Sequence, residues 1–259
     1  MRLVVFASGS SGNCLLLSSG ASHILIDAGI SMRRISAGLT QAGISWRDIG
    51  GVLITHEHSD HICGLKTLTR QRTVPICAPR TVANRLRGML PGIDDCLRII
   101  PVGEPFLQAG FRIKAFHTPH DTDESVGYRV EREGVFALAT DMGKVTDEVR
   151  CGLLGADTAL IEANHDPEML RLGPYPAYLK MRILSEHGHL SNPDCAALAR
   201  ELAESGTRCI VLGHISRENN RPELALETVR SSLATSKTEL YCAPAEGFLS
   251  LPVERGSLC

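Results

Sequence analysis

The chain has 259 residues, is 43% hydrophobic and carries a formal net charge of −2 at pH 7. That is enough apolar chain for one large core and an ordinary length for a single α/β domain spanning 1–259. The near-neutral balance supplies no global basic field, so a polyanionic partner has to be gripped locally. No apolar run approaches the roughly 20 residues that cross a bilayer. Leu3-Val4-Val5-Phe6 reads as strand almost at once, leaving no room for a signal sequence, and a cytoplasmic protein with no membrane partner is expected. The nine cysteines are odd in number, form no Cys-x-x-Cys pair and often sit in apolar runs such as Val74-Pro75-Ile76-Cys77. Reduced, buried thiols fit that pattern better than a disulfide framework.

In chain order, Leu3 to Ala7 and Cys14 to Leu17 read as strands joined by Ser8-Gly9-Ser10-Ser11-Gly12-Asn13. A plain hairpin turn is one reading of that loop. Its six small residues exceed what a hairpin needs, however, and predict anion contacts from Ser8, Ser10, Ser11 and Asn13. His23 to Ile26 is a third strand ending in Asp27-Ala28-Gly29, where an acid is placed to orient neighbouring loops, and a helix over 31–42 follows. Val52-Leu53-Ile54 reads as a buried strand that delivers Thr55-His56-Glu57-His58-Ser59-Asp60-His61. A helix over 62–71 should aim its N-terminus at the same place and favour an anion there. A strand over 74–78 and a helix over 81–90, stopped by Pro91-Gly92, come next. Phe111 to Phe116 alternates as a half-buried strand and leads to His117-Thr118-Pro119-His120-Asp121. Strands over 135–139 and 157–162 end in Thr140-Asp141-Met142-Gly143 and Ala163-Asn164-His165-Asp166. A helix over 177–186 precedes Gly188-His189-Leu190-Ser191-Asn192, in which Ser191 or Asn192 caps a helix over 194–204. A strand over 208–212 runs into His214, and a helix over 222–233 and a strand over 239–242 finish the chain. Strands alternate with helices in two similar halves, which predicts two packed sheets with helices outside.

Four potential metal ligands between His56 and His61, on a strand-to-helix loop, are hard to reconcile with packing. A lone histidine is ordinarily a surface or core residue; this grouping is not. His56 and His58, two apart, project to one side of an extended loop, while Asp60 and His61 can turn to a second position, which predicts two metals. Only one of His117 and His120 should face the site, because residues three apart on extended chain point to opposite faces.

The His-x-His-x-Asp-His string resembles the signature of the metallo-β-lactamase superfamily of binuclear hydrolases. The resemblance implies an αββα sandwich, two mixed β-sheets packed face to face with helices on the outside. Carried over residue by residue, it implies His56, His58 and His120 on one divalent metal, and Asp60, His61 and His214 on the other. Asp141 would bridge the two, and Asp27 would support the ligands without touching metal. It selects His120 over His117, since the ligand follows a Thr-Pro turn and precedes a strand like Ser125-Val126-Gly127-Tyr128. Imidazole and carboxylate without thiolate suit Zn2+ or Mn2+, with Fe2+ possible. His58 stands where diiron flavoproteins of the fold carry Glu, which favours hydrolysis over redox chemistry. The mechanism implied is attack by a metal-bridging hydroxide, with Asp60 orienting it and His165 and His189 as candidates to protonate a leaving oxygen.

Asn164-His165-Asp166, Gly173-Pro174-Tyr175-Pro176, Gly188 to Asn192 and His214 to Asn220, together with Ser8 to Asn13, look like the WalJ (YycJ) group of bacterial metallo-hydrolases. That likeness implies a 5′ to 3′ exonuclease acting on DNA, with Asn164, Ser216, Asn219 and Asn220 among the substrate contacts. Arg33, Arg34, Arg171, Arg182, Arg217 and Arg221 are candidates to hold phosphates, or simply solvated helix faces. The stretch from Asp141 to His214 is too short for the large cap of the RNA-processing branch. The alternative is a small-molecule ester, thioester, lactone or cyclic phosphodiester hydrolase of the same fold, which shares every ligand but does not need His165, His189 or Asn220.

Overall fold

The apolar strand runs are placed in a computed structural model that describes residues 1–71, 73–233 and 236–255. The first half contributes β1 (Arg2–Ala7), β2 (Cys14–Ser19), β3 (Ser22–Ile26), α1 (Met32–Ala42), β4 (Ile49–Leu53), α2 (Ser59–Ile62), α3 (Leu65–Gln71), β5 (Ile76–Ala78), α4 (Arg80–Met89) and β6 (Leu97–Ile99). The second contributes β7 (Pro105–Gln108), β8 (Phe111–His117), β9 (Val126–Glu131), β10 (Val135–Ala139), α5 (Asp147–Leu153), β11 (Thr158–Glu162), α6 (Pro167–Leu172), α7 (Ala177–Ile183), α8 (Asn192–Glu204), β12 (Cys209–Gly213), α9 (Pro222–Ser232), β13 (Glu239–Cys242) and β14 (Leu249–Pro252).

The strands form two seven-stranded sheets, ordered β14-β1-β2-β3-β4-β5-β6 and β13-β12-β11-β10-β9-β8-β7. Each sheet changes character halfway. Pairing is antiparallel up to β3 in the first and up to β10 in the second, and parallel beyond. Ligands of open sheets gather beyond the carboxyl ends of parallel strands, where such a switch occurs. Asp27, Thr55 to His61, Asp141 and His214 all leave the chain at those ends.

Alternation of side chains assigns each strand to two cores. Leu3, Val5, Leu17, Ile24, Phe111, Tyr128, Phe136 and Val211 pack between the sheets. The intervening Val4, Phe6, Leu16 and Leu25 pack outward with Ile35 and Leu39 of α1, and Ala137, Ile161 and Ile210 pack with Leu198, Leu202 and Val229 of α8 and α9. Each fully buried side chain of this size contributes roughly 1.5–3 kcal/mol. This is the expected sandwich. One polar tie crosses it: the Tyr128 hydroxyl donates to the Ile54 carbonyl at 2.5 Å, fixing β9 against the start of the histidine loop.

Several elements differ from the sequence reading. β6, β7 and β14 are absent from it because they are short strands carrying Arg98, Pro105 and Pro252, and the chain returns to the first sheet after β13. α5 and α6, of seven and six residues, are too short for a periodic pattern. The single helix expected over 62–71 is two, broken at Gly64, where a Cβ would lie 2.5 Å from the Ile30 carbonyl oxygen. No long helix therefore aims its N-terminus at the site from Ile62. Cys14, Cys77, Cys96, Cys195 and Cys209 are buried as expected, Cys63 and Cys151 are exposed, and Cys259 lies outside the described residues. No helix among the described residues is long and apolar enough to cross a membrane.

Three loops lock together beneath the site. Asn13 donates its backbone N–H to the Asp60 carbonyl at 2.7 Å, Gly29 donates to Asn13 at 2.8 Å, and a Cβ on Gly29 would stand 1.6 Å from the Asp60 oxygen. Gly29→Ala is expected to cost about 3 kcal/mol, since backbone cannot yield as a side chain can. Gly88→Ala, on the exposed face of α4 with open space around it, should instead stabilise by about 0.5–1 kcal/mol. Thermal denaturation of the two variants checks both signs, and a Gly29→Ala melting temperature equal to wild type would contradict the interlock.

Candidate metal centre

Backbone strain marks the site. Asp27, Asp141 and His214, each just past a strand end, have φ of 59°, 57° and 51°, a left-handed conformation that costs a non-glycine residue on the order of 1 kcal/mol. These turns bring side chains from both sheets to one crevice. His56, His58 and His120 form one group, with ring centroids 4.6–5.0 Å apart and His120 Nε2 3.2 Å from His58 Nδ1. Asp60, His61 and His214 form a second, in which Asp60 Oδ2 lies 3.4 Å from His61 Nε2 and 3.5 Å from His214 Nε2. Asp141 stands between them, with Oδ1 3.1 Å from His214 and 3.9 Å from His120 and Oδ2 3.3 Å from His61. Within each group the donor atoms lie within 4.8 Å of one another.

The rings are held from behind. His61 Nδ1 meets Asp27 Oδ2 at 2.7 Å, which turns Nε2 toward the centre, and Thr55 donates its N–H to the same Asp27 carboxylate at 2.9 Å. The sequence reading missed Glu162. This fully buried carboxylate at the end of β11 places Oε1 2.7 Å from His189 Nδ1 and 3.1 Å from His214 Nδ1, and accepts the Met142 N–H on Oε2. The available signal was a charge closing an otherwise apolar strand, Thr-Ala-Leu-Ile-Glu.

His117 lies away from the cluster, 53% exposed, between Glu124 and Glu148. Ser8 and Asn13 are buried rather than open to an anion: Ser8 Oγ accepts the His214 N–H at 2.9 Å, and the Asn13 amide lies 3.0 Å from His61 Nε2. Ser10 and Ser11 are exposed. Asn164 donates to the His214 carbonyl, Ser216 accepts the Asn219 N–H, and Asn220 bonds Asn192 and the Ala163 carbonyl. Asn219 and Asn220 are buried, and Asn219 Oδ1 has no hydrogen-bond partner. His165 is 1% exposed beside a β-bridge to Ser191, with both ring nitrogens buried and without a hydrogen bond, and Glu162 and His189 act on its charge. Arg217 and Arg34 pair with Glu246, and Arg171 with Glu168.

Burial alone would strip the charges from this group, but its members hold one another ionised. It opposes a charge on His214, yet Asp141, Asp60 and Glu162 outweigh it and push the ring up to about 10. His61 is likewise raised well above the usual imidazole range by Asp27 and Asp141, and His189 is raised by Glu162. Asp141 stays well below the carboxylate range despite burial, through His214 and His61, and Glu162 falls to about 2 beside His189 and His214. His56 and His120 go the other way, lowered chiefly by burial. Three buried atoms, His56 Nε2, Asp141 Oδ2 and His214 Nε2, nevertheless lack a hydrogen bond of proper geometry. Buried polar atoms are rarely left so. Orphaned imidazole and carboxylate donors converging on one crevice fit a divalent cation.

The beta-lactamase superfamily domain model matches residues 22–215. The Exodeoxyribonuclease YycJ of Bacillus anthracis is 37% identical over 235 residues, covering 90% of this chain and 89% of its own. The Exodeoxyribonuclease WalJ of Streptococcus pneumoniae serotype 2 is 38% identical over 234 residues, covering 89% and 87%. The chain belongs to the YycJ and WalJ family of the beta-lactamase superfamily. In fold it is similar to the metallo-beta-lactamase fold protein YhfI from Bacillus subtilis, with a TM-score of 0.74 at 15% identity over 96% of this chain and 98% of that one.

His214 is held up to about 10 and His61 is raised by Asp27 and Asp141, while a ligating imidazole is neutral, so cation binding should release protons. Apparent metal affinity should therefore rise with pH. Calorimetric titration with Zn2+ or Mn2+ at pH 7 in Tris and in phosphate should give heats that differ by the buffer ionisation of about one proton or more. Identical heats would contradict the protonated centre.

Proposed function

We propose that the protein is a metal-dependent hydrolase that removes nucleotides from DNA in the 5′ to 3′ direction, using two divalent cations, Zn2+ or Mn2+. The observation that carries the reading is the convergence of two three-residue donor groups on Asp141 in a chain of this family. The exodeoxyribonuclease names of both relatives supply the substrate class. His56, His58 and His120 would hold one cation, Asp60, His61 and His214 the other, and Asp141 both. When bound, such cations supply Lewis acidity at a phosphoryl oxygen and make water nucleophilic near neutral pH.

The chain's own groups divide the remaining tasks. Burial would raise Asp60, but the His214 and His61 rings beside it, 3.5 and 3.4 Å away, keep its carboxyl well below the usual range, so it is ionised at the crevice mouth. It would orient the attacking water as the new phosphorus–oxygen bond forms, the water's proton having passed to solvent. His189, partly exposed and anchored through Nδ1 by Glu162, keeps its other nitrogen free to protonate the leaving oxygen as the old bond breaks. His189 lies against both donor groups, its ring centroid 5.3 Å from His120 and 5.2 Å from His214. Glu162 is a positioning residue that fixes the His189 ring and its tautomer.

Purified protein with Mn2+ should release labelled mononucleotide from a 5′-labelled duplex and stop on addition of a chelator. His56→Ala and Asp141→Ala should abolish release, and His189→Ala should lower kcat by about 10² to 10⁴. Rates unchanged in all three variants would trace the activity to a contaminating nuclease and sink the reading.

A further inference from the structure

Next to the metal centre, and sharing His189 with it, is a cavity of about 180 Å3 walled by Ser10, Asp121, Asn164, Tyr175, Arg182 and Ser216. Pockets for drug-sized molecules run to roughly 300–1,000 Å3, so this one accommodates a single chemical group rather than a length of strand. Besides His189 and Asp121, its polar lining is one guanidinium, three hydroxyls that can each donate, and the Asn164 amide, which already donates to the His214 carbonyl. The one carboxylate, Asp121, is already engaged by Arg182. We propose that the cavity seats the terminal 5′-phosphate of the strand being degraded, with Arg182 as its principal contact. The proposal rests on the exonuclease reading.

Asp121 takes only the Nε–H of Arg182, and with that side chain 60% exposed the amino groups of the guanidinium remain for a phosphate, which matches their forked geometry. The same Asp121 reaches back to the metal centre, its Oδ1 3.2 Å from His120 Nε2. Arg182 therefore stands one carboxylate removed from the donor groups, placed for the phosphate beside the scissile one. Hydroxyls of Ser10, Tyr175 and Ser216 complete the donor set.

The wall is built to stay put. Lys180 Nζ donates to the Arg171 and Gly173 carbonyls at 2.8 Å, His189 donates its N–H to the Ile183 carbonyl at 3.0 Å, and a Cβ on Gly143 would stand 2.3 Å from the Ser185 oxygen. The α7 turn is thus wedged between the Asp141 loop and His189. A strand end seated in this cavity would meet that wall, which would favour a terminus over a continuous strand.

The test uses the metal-loaded full chain and strands with a 5′-phosphate or a 5′-hydroxyl. kcat/KM is measured on cleavable strands, and Kd by fluorescence anisotropy on strands whose first linkages are phosphorothioates. Wild type should prefer the phosphate by about tenfold in both, expressed mainly in KM. Arg182→Ala should bring both ratios to about one. Arg182→Lys, which keeps the charge beside Asp121 but loses the fork, and Tyr175→Phe should give intermediate ratios, with metal content measured to show that the donor groups survive. A wild-type ratio of one, or a ratio that persists in Arg182→Ala, overturns the proposal. If wild type leaves all DNA intact but hydrolyses bis(p-nitrophenyl) phosphate, the exonuclease reading falls, and the Kd ratio still decides the cavity.

Discussion

A carboxylate at 2% exposure, Asp141, sets the terms for everything around it. Isolated in an apolar interior it would give up its charge, because the desolvation of an unpaired ion exceeds anything the fold can return. It stays ionised because His214 and His61 flank it, and those rings stay cationic because Glu162 and Asp27 stand behind them. The result is a chain of alternating acid and imidazole running from one sheet to the other. Removing one member leaves a buried partner uncompensated, at a cost of about 3–5 kcal/mol. The arrangement is a poor way to gain stability and a good way to hold donor atoms in fixed positions.

The sandwich makes this possible by symmetry of construction. Each sheet changes from antiparallel to parallel at one strand, β3 or β10, and the residues just past those strands are Asp27 and Asp141. The parallel strands beyond them all end on the same side, so β4 delivers the histidine loop and β11 and β12 deliver Glu162 and His214. Positive φ at Asp27, Asp141 and His214 is the local expense of turning the chain there, and the interlocked backbones of Asn13, Gly29 and Asp60 keep those turns from relaxing.

Much of this was legible because ligand chemistry concentrates rare residues in short strings. The His56 to His61 loop and the strand ends at Asp27, Asp141 and His214 could be read directly, and long apolar strands such as β10 and β11 announced themselves. What escaped depended on contacts between distant segments. Glu162 looks like an ordinary strand end until His189 and His214 are seen against it. Ser8 and Asn220 have the composition of a substrate loop, yet they hydrogen-bond backbone, Ser8 the His214 N–H and Asn220 the Ala163 carbonyl, while the Asn13 amide meets the His61 ring. His165 and His189 are indistinguishable by residue type, and only the structure shows that His189, not His165, is anchored by Glu162. The edge strands β6, β7 and β14 are defined by pairing with a neighbour that local pattern does not reveal.

The acids at the mouth of the crevice explain how a chain with net charge −2 handles a polyanion. Asp60 and Asp121 are the partly exposed carboxylates, at 22% and 24%, and they lie on opposite sides of the centre, Asp60 against His61 and His214, Asp121 against His58 and His120. Without cations this pair would repel a phosphate backbone, and a net charge of −2 supplies no overall basic field to offset it. With cations held by the donor groups the sign at the centre reverses, and the remaining negative charge at Asp121 is answered by Arg182. On the proposed reading, strand binding would be conditional on metal loading and confined to the crevice, and recognition would fall to the strand terminus rather than to a broad basic face.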